Sequence, residues 1–144
     1  MAIEDVGDDY TLAAQVGHLL RRANQRHTTL FSELFAPYGL TTLQFAALMV
    51  LAESGDVSQN QLGRMTAMDP NTIQGVVQRL ERRGLVEREH DSRDRRRVLL
   101  RLSAEGKAMA TDLVSLGHDI SQRTLAPLSA PEREAFLQAL HKLA

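Results

Sequence analysis

The sequence contains no cysteine. Disulfides, thiolate metal sites and cysteine-based oxidation sensing are therefore excluded. It also lacks Trp, and aromatic residues make up only 4% of a chain that is 43% hydrophobic, the balance of an ordinary soluble helical protein. No apolar run approaches the ~20 residues that span a bilayer. The N-terminus, MAIEDVGDDY, is acidic and has no apolar segment of signal-peptide type. A cytoplasmic location and no membrane partner are expected. There is no GxxxxGK(S/T) or GxGxxG phosphate loop, and no HExxH or GxSxG. The five histidines, His18, His27, His90, His118 and His141, are scattered without metal-ligand spacing. The expectation is a protein that is not an enzyme, with no cofactor and no metal centre.

Net charge is −1, an unpromising value for a partner of nucleic acid until it is localised. From Arg64 to Arg101 there are ten Arg and six Asp or Glu, a local balance of +4 that leaves −5 for the remainder. Fifteen of the seventeen basic residues are Arg. GC-rich codon usage would be the bland reading of the Arg-over-Lys bias, but it does not explain the clustering, and clustered positive charge is what phosphate neutralisation requires.

The cluster falls within residues 58–103. Asp69 is a good N-cap, and Pro70 suits the first helical position, where no backbone N–H is needed. Ile73, Val76, Val77 and Leu80 follow at the spacing of one buried helix face, and Gly84 can take the left-handed conformation beyond the last turn. The opposite face holds Asn71, Thr72, Gln74, Gly75, Gln78, Arg79 and Arg82. Asn and Gln amides can pair with adenine, and Arg with guanine or phosphate. A solvated helix face would have a similar composition. The neighbours favour the nucleic-acid reading. Ser58 and Gln61 form a capping-box pattern for a preceding short helix with Leu62 and Met65 inward, and the link 66–68 is as short as a helix-turn-helix requires. Strands are expected over 85–89 and 97–102, with Val98, Leu100 and Leu102 on one face. The loop between them, 90–96, holds Arg93, Arg95 and Arg96, with Arg97 at its edge. A guanidinium-rich hairpin tip beside such a helix describes a winged helix-turn-helix, the helix in the major groove and the tip in the minor groove. Asp91 and Asp94 are expected to shape and neutralise the tip, Asp94 by pairing with a nearby Arg.

Elsewhere, residues 1–9 are expected to be frayed and 10–35 to form one long helix. Leu12, Val16, Leu19, Leu20, Ala23, Leu30 and Leu34 share a broad face of it. His27 lies in the middle of that face, either as a buried His satisfied by a neighbouring helix or as a polar contact within an effector pocket. Pro37-Tyr38-Gly39 ends the helix. Thr41 and Gln44 form a capping box for a helix over 42–54, packed through Phe45, Leu48, Met49 and Leu51, and Val57 could add a very short strand beside the wing. Ser103 caps a helix over 104–123, with Met109, Leu113, Leu116 and Ile120 as its stripe. Ser129 and Glu132 cap a last helix over 130–143 that carries Phe136, Leu137, Leu140 and Leu143. The fold class is mainly α with a small β-hairpin wing. A single domain, 1–144, is expected, with the winged helix-turn-helix over 42–102.

The order SQNQLGRMTAMDPNTIQGVVQRLERRGLVERE, then DSRDRRRVLLRLSAEG, resembles the MarR family of bacterial transcription regulators. The most telling piece is Asp91-x-Arg93-Asp94-Arg95-Arg96 followed by Leu102-Ser103-x-x-Gly106. The resemblance covers nearly the whole chain. It implies a homodimer on a pseudo-palindromic operator of double-stranded DNA that usually represses until a small ligand arrives. The terminal helices, 10–35 and 104–143, would interlock with a second copy, spacing the recognition helices ~34–36 Å apart. Asn71, Thr72, Gln74 and Gln78 are the candidates for reading base edges. Arg79 and Arg82 would hold phosphates, with Gln59 and Arg64 as weaker candidates, and Arg93, Arg95 and Arg96 would serve the minor groove. The run VGHLLRRANQRHTTLF with LTTLQFAAL is similar to regulators of aromatic-acid catabolism. That implies a small aromatic carboxylate effector of hydroxynicotinate, hydroxybenzoate or hydroxycinnamate type, met by His18, Arg22, Arg26 or His27 and wedged between the first two helices and the winged region. The alternative is a winged-helix protein-interaction module without ligand response, which would show no salt-dependent DNA binding.

Overall fold

The structure is a computed structural model that describes residues 10–144, so the expected fraying of 1–9 lies outside the described residues. Six helices and one hairpin follow in the order α1 (Val16–Phe35), α2 (Thr42–Ser54), α3 (Gln59–Met65), α4 (Pro70–Arg82), β1 (Val86–His90), β2 (Val98–Leu102), α5 (Ala104–Thr124) and α6 (Ala130–Leu143). They divide into two compact units, one of residues up to Leu34 with Ile120–Ala144, the other Phe35–Asp119.

The second unit is built around α2 and α4. The Thr41 hydroxyl accepts the Gln44 N–H while the Gln44 side chain accepts the Thr41 N–H, the full capping box. Ala47, Leu48 and Leu51 of α2 are buried; Phe45 is half-buried, edge-on to Phe35 with ring centroids 5.0 Å apart. In α4, Ile73, Val76, Val77 and Leu80 are all buried, as their period requires. Its C-terminus is a Schellman motif: Gly84 has φ +72°, its N–H bonds Glu81, and the Leu85 N–H reaches back to Leu80 at 3.0 Å. The hairpin pairs Val86 with Leu102 through His90 with Val98, one residue later at each strand start than expected. Val57 bridges Leu100 through two backbone bonds, the short third strand.

Two local expectations are corrected. In α3 the inward positions are Leu62 and Gly63, whereas Met65 is 46% exposed. A Cβ at Gly63 would stand only 3.2 Å from both Ile73 Cγ2 and the Met68 carbonyl oxygen, so α4 approaches α3 where the side chain is missing. The Ser58 hydroxyl accepts the Gln61 N–H, but a return bond from the Gln61 side chain is absent among the described residues.

In the first unit, the helix expected over 10–35 is interrupted. Residues Leu12–Ala14 form a 3-10 turn, Gln15 is extended, and its side-chain oxygen accepts the His18 N–H at 2.6 Å, the bond an N-cap makes. Gly17, a poor helix former, lies just inside the new start. The Ser129–Glu132 capping box starts α6, and Ser129 holds the Glu132 carboxyl below the usual carboxylate range by donating its backbone N–H and, second, through its side chain. None of the residues of α6 is buried.

Candidate nucleic-acid interface

The α3–α4 turn presents the exposed face of α4. Asp69 caps that helix twice over, accepting the Thr72 N–H at 2.8 Å and the Thr72 hydroxyl at 2.9 Å. The backbone bond and then the hydroxyl bond hold the Asp69 carboxyl below its ordinary value of 3.8. The cap's contribution is therefore complete above pH 3.8 and is lost as pH falls through the lower folded value. Asp69→Asn keeps a good N-cap without a titrating group. Its melting temperature is expected to match the wild type at neutral pH and to fall less steeply below pH ~4, as a pH series of thermal unfolding would record. Thr72 is thus a capping residue as well as a candidate reader of bases, its hydroxyl hydrogen already committed to Asp69.

Beyond the cap, Asn71, Gln74, Gln78, Arg79 and Arg82 are exposed on one side of α4, with no side-chain partner among the described residues. A Cβ at Gly75, in their midst, would meet only Arg79 at 3.7 Å, so the surface there is open to close approach. Arg64 at the end of α3 is exposed as well. Gln59 is placed differently: its side-chain oxygen accepts Arg88 Nη2 at 3.2 Å, and Arg88 Nε is paired with Glu81 at 2.8 Å. One guanidinium thus joins α3, α4 and β1.

The wing tip is folded by its acids. The Asp91 carboxylate accepts the Arg93 N–H at 2.9 Å and the Asp94 carboxylate accepts the Arg96 N–H at 3.0 Å. The Asp91 N–H bonds the Arg97 carbonyl, the Arg97 N–H bonds the Asp94 carbonyl, and His90 Nδ1–H donates to the Arg95 carbonyl. The expected ion pair from Asp94 to an arginine side chain is replaced by this backbone bond, which closes a tighter loop than a guanidinium could. The side chains of Arg93, Arg95, Arg96 and Arg97 are left exposed, with no partner among the described residues. Behind them, Arg101 of β2 pairs with Glu87 and Glu89 of β1 and stiffens the hairpin stem.

The residues expected to meet an effector all lie on α1. Arg26 donates to the Arg123 and Thr124 carbonyls at 2.9 and 3.4 Å, and His27 Nδ1 is 2.9 Å from the Thr124 hydroxyl, so both engage the C-terminal end of α5. His18 Nδ1 faces Arg21 Nη2 at 3.2 Å. Arg22 is exposed and unpaired among the described residues. No cluster of three or more His, Asp or Glu able to hold a metal occurs among the described residues, and none of their helices is long and apolar enough by itself to cross a membrane.

A helix-turn-helix presenting amides and guanidiniums, followed by a hairpin with an arginine tip, defines a winged-helix DNA-binding regulator. Residues 38–97 match the model of the MarR family. Over 134 residues the chain is 40% identical to the HTH-type transcriptional repressor NicR of Pseudomonas putida, covering 93% of this chain and 85% of NicR. A probable transcriptional regulator from Pseudomonas aeruginosa superposes with a TM-score of 0.88 at 46% identity, covering 93% of this chain and all of that one. BpsR of Bordetella bronchiseptica, whose DNA binding is regulated by 6-hydroxynicotinic acid, superposes with a TM-score of 0.87 at 39% identity, over 93% and 96% of the two chains. The chain belongs to the MarR family, and its architecture is that family's winged helix.

Proposed function

We propose that this protein is a dimeric repressor that grips a pseudo-palindromic operator and leaves it when a small aromatic carboxylate binds. The observation that carries the DNA-binding part is the exposed set of Asn71, Gln74, Gln78, Arg79 and Arg82 on α4 together with the four arginines of the wing, none with a side-chain partner among the described residues. Amides discriminate bases and guanidiniums neutralise phosphates.

Dimerisation is supported by apolar surface that the single chain leaves bare. Leu12, Val16 and Leu19 are 58%, 62% and 50% exposed, and Leu137 and Leu143 of α6 are exposed as well. A helix with an apolar stripe and no buried residue needs something to cover it. Two-fold pairing through these helices would present two recognition helices to successive turns of one duplex face.

The effector reading is supported by the relation to BpsR and by the cationic ridge of α1. Arg22 has a guanidinium available for bidentate carboxylate binding. Arg26 and His27 would reach a ligand only by exchanging their bonds to the end of α5. A ligand held there would favour a spacing of recognition helices that misfits the operator.

A gel shift on the promoter region of the protein's own gene against a random duplex tests DNA recognition and separates it from a protein-interaction role. Titrating 6-hydroxynicotinate, hydroxybenzoate, hydroxycinnamate and salicylate into the complex tests release. Gln78→Ala is expected to weaken operator binding about 5- to 100-fold for each half-site with little change on random DNA, the cost of one base contact per subunit. Arg82→Ala is expected to weaken both duplexes alike and to reduce the salt slope by about 2, some 0.9 for each subunit of the dimer. Equal losses on both duplexes for Gln78→Ala would remove that residue from base reading.

A further inference from the structure

The last turn of α4 is fastened from two directions. On one side the Glu81–Arg88–Gln59 chain ties it to β1 and α3. On the other, Arg83 at the C-cap sends Nη2 to the Tyr38 carbonyl at 2.7 Å and Nη1 to the Gly39 carbonyl at 3.1 Å. Those two carbonyls end the 3-10 turn Ala36–Tyr38, which leads into α2. The bonds are charge-assisted and come from a planar fork, so they fix direction as well as distance. Arg82, next in sequence, has no partner among the described residues, whereas both terminal nitrogens of Arg83 are occupied.

We infer that Arg83 is a positioning residue for sequence recognition: its fork to the Tyr38 and Gly39 carbonyls fixes the angle at which α4 meets the duplex, and it does so without itself contacting DNA. Base-edge hydrogen bonds tolerate errors of only about 0.5 Å and 10–20°. Phosphate contacts through long, flexible arginines tolerate more. A loosened α4 therefore loses discrimination before it loses general affinity. This rests on α4 being the helix that reads bases.

The test uses the full chain with Arg83→Gln and Arg83→Lys, measuring affinity for the promoter duplex and a random duplex across a salt series, with thermal unfolding alongside. Arg83→Gln is expected to bind the promoter duplex about tenfold more weakly, the order of effect of losing charge-assisted bonds. Random-duplex affinity and the salt slope should stay at wild-type values. Arg83→Lys, a point donor in place of a fork, should recover part of the loss. A slope lower by about 2, some 0.9 for each subunit, with equal losses on both duplexes would make Arg83 a phosphate contact and overturn the inference. A lower melting temperature with an unchanged ratio of the two affinities would make it a structural tie only, and would overturn it too. Gln78→Ala separates the two levels: if it fails to relax specificity, the reading of α4 falls, whereas an unchanged ratio in Arg83→Gln beside a relaxed Gln78→Ala removes only the role of Arg83.

Discussion

Replacing Gly106 by Ala is expected to destabilise the Phe35–Asp119 unit by about 3–5 kcal/mol, the range reserved for severe steric or core damage. The melting temperature should fall by roughly 12–40 °C for a unit of this size, at about 4–8 °C per kcal/mol. A Cβ at this position would stand 2.1 Å from the Leu85 carbonyl oxygen, 3.0 Å from its carbonyl carbon and 3.3 Å from Leu102 Cδ2. The obstacle is backbone, so no rotamer change relieves it. Either α5 must lift away or β1 must move. That junction is also where three elements are sewn together. The Ser103 N–H donates to the Leu85 carbonyl at 3.0 Å, the Ser103 hydroxyl donates to the Gly84 carbonyl at 2.6 Å, and the same hydroxyl oxygen accepts the Gly106 N–H at 3.0 Å. Lifting α5 breaks all of these at once, freeing the end of the recognition helix and the start of the wing together. Operator affinity should therefore fall with stability. Lys107→Ala, at an exposed neighbour, is the control and should change stability by no more than about 0.5 kcal/mol. A melting temperature for Gly106→Ala within about 2 °C of wild type would contradict the close approach.

The Leu102-Ser103-x-x-Gly106 pattern stands out in the sequence, but its reason does not. The cap on α5 is local and legible, whereas the contact that forbids a side chain at Gly106 comes from Leu85, 21 positions away. The same division runs through the molecule. Asp69, Pro70, the Ile73–Leu80 period and Gly84 act within one helix, and α4 is bounded where they place it. The capping residues Thr41 and Ser129 likewise locate the starts of α2 and α6. The interruption at Gln15 is not legible in the sequence, because the apolar stripe runs unbroken across it and a side-chain cap can outweigh periodicity. Spacing alone puts Met65 inward, but the close approach of α4 at Gly63 turns α3 so that Met65 faces out. Ten arginines cluster in the sequence between Arg64 and Arg101, yet they are not equivalent. Arg83, Arg88 and Arg101 are engaged by groups that no local pattern links to them, such as the Tyr38 carbonyl 45 positions upstream. Periodicity sees neighbours along one element; it does not see which charges the fold has already spent on itself.

That sorting sets the size of the last effect. Replacing Arg93, Arg95 and Arg96 together by Ala is expected to reduce the slope of log affinity against log salt by up to about 5.4, some 0.9 for each of the phosphates neutralised by the two wings of the dimer. Between 50 and 200 mM salt the wild type should then lose on the order of 1,000-fold more affinity than the triple variant, since a fourfold change in salt raised to that power gives this ratio. The wing should keep its form, because it is closed by Asp91, Asp94 and backbone bonds rather than by the three arginine side chains. The melting temperature should be nearly unchanged, which separates this variant from Gly106→Ala. Asp94→Ala is the complementary change: it opens the tip but leaves every guanidinium, so the slope should persist while operator preference weakens. A narrow A·T-rich minor groove attracts arginine through its enhanced negative potential. Exchanging an A·T flank of the operator for G·C should therefore weaken the wild type and leave the triple variant indifferent. If the triple variant retained the wild-type salt slope, the wing would not be touching the duplex, and the positive charge at its tip would need another partner.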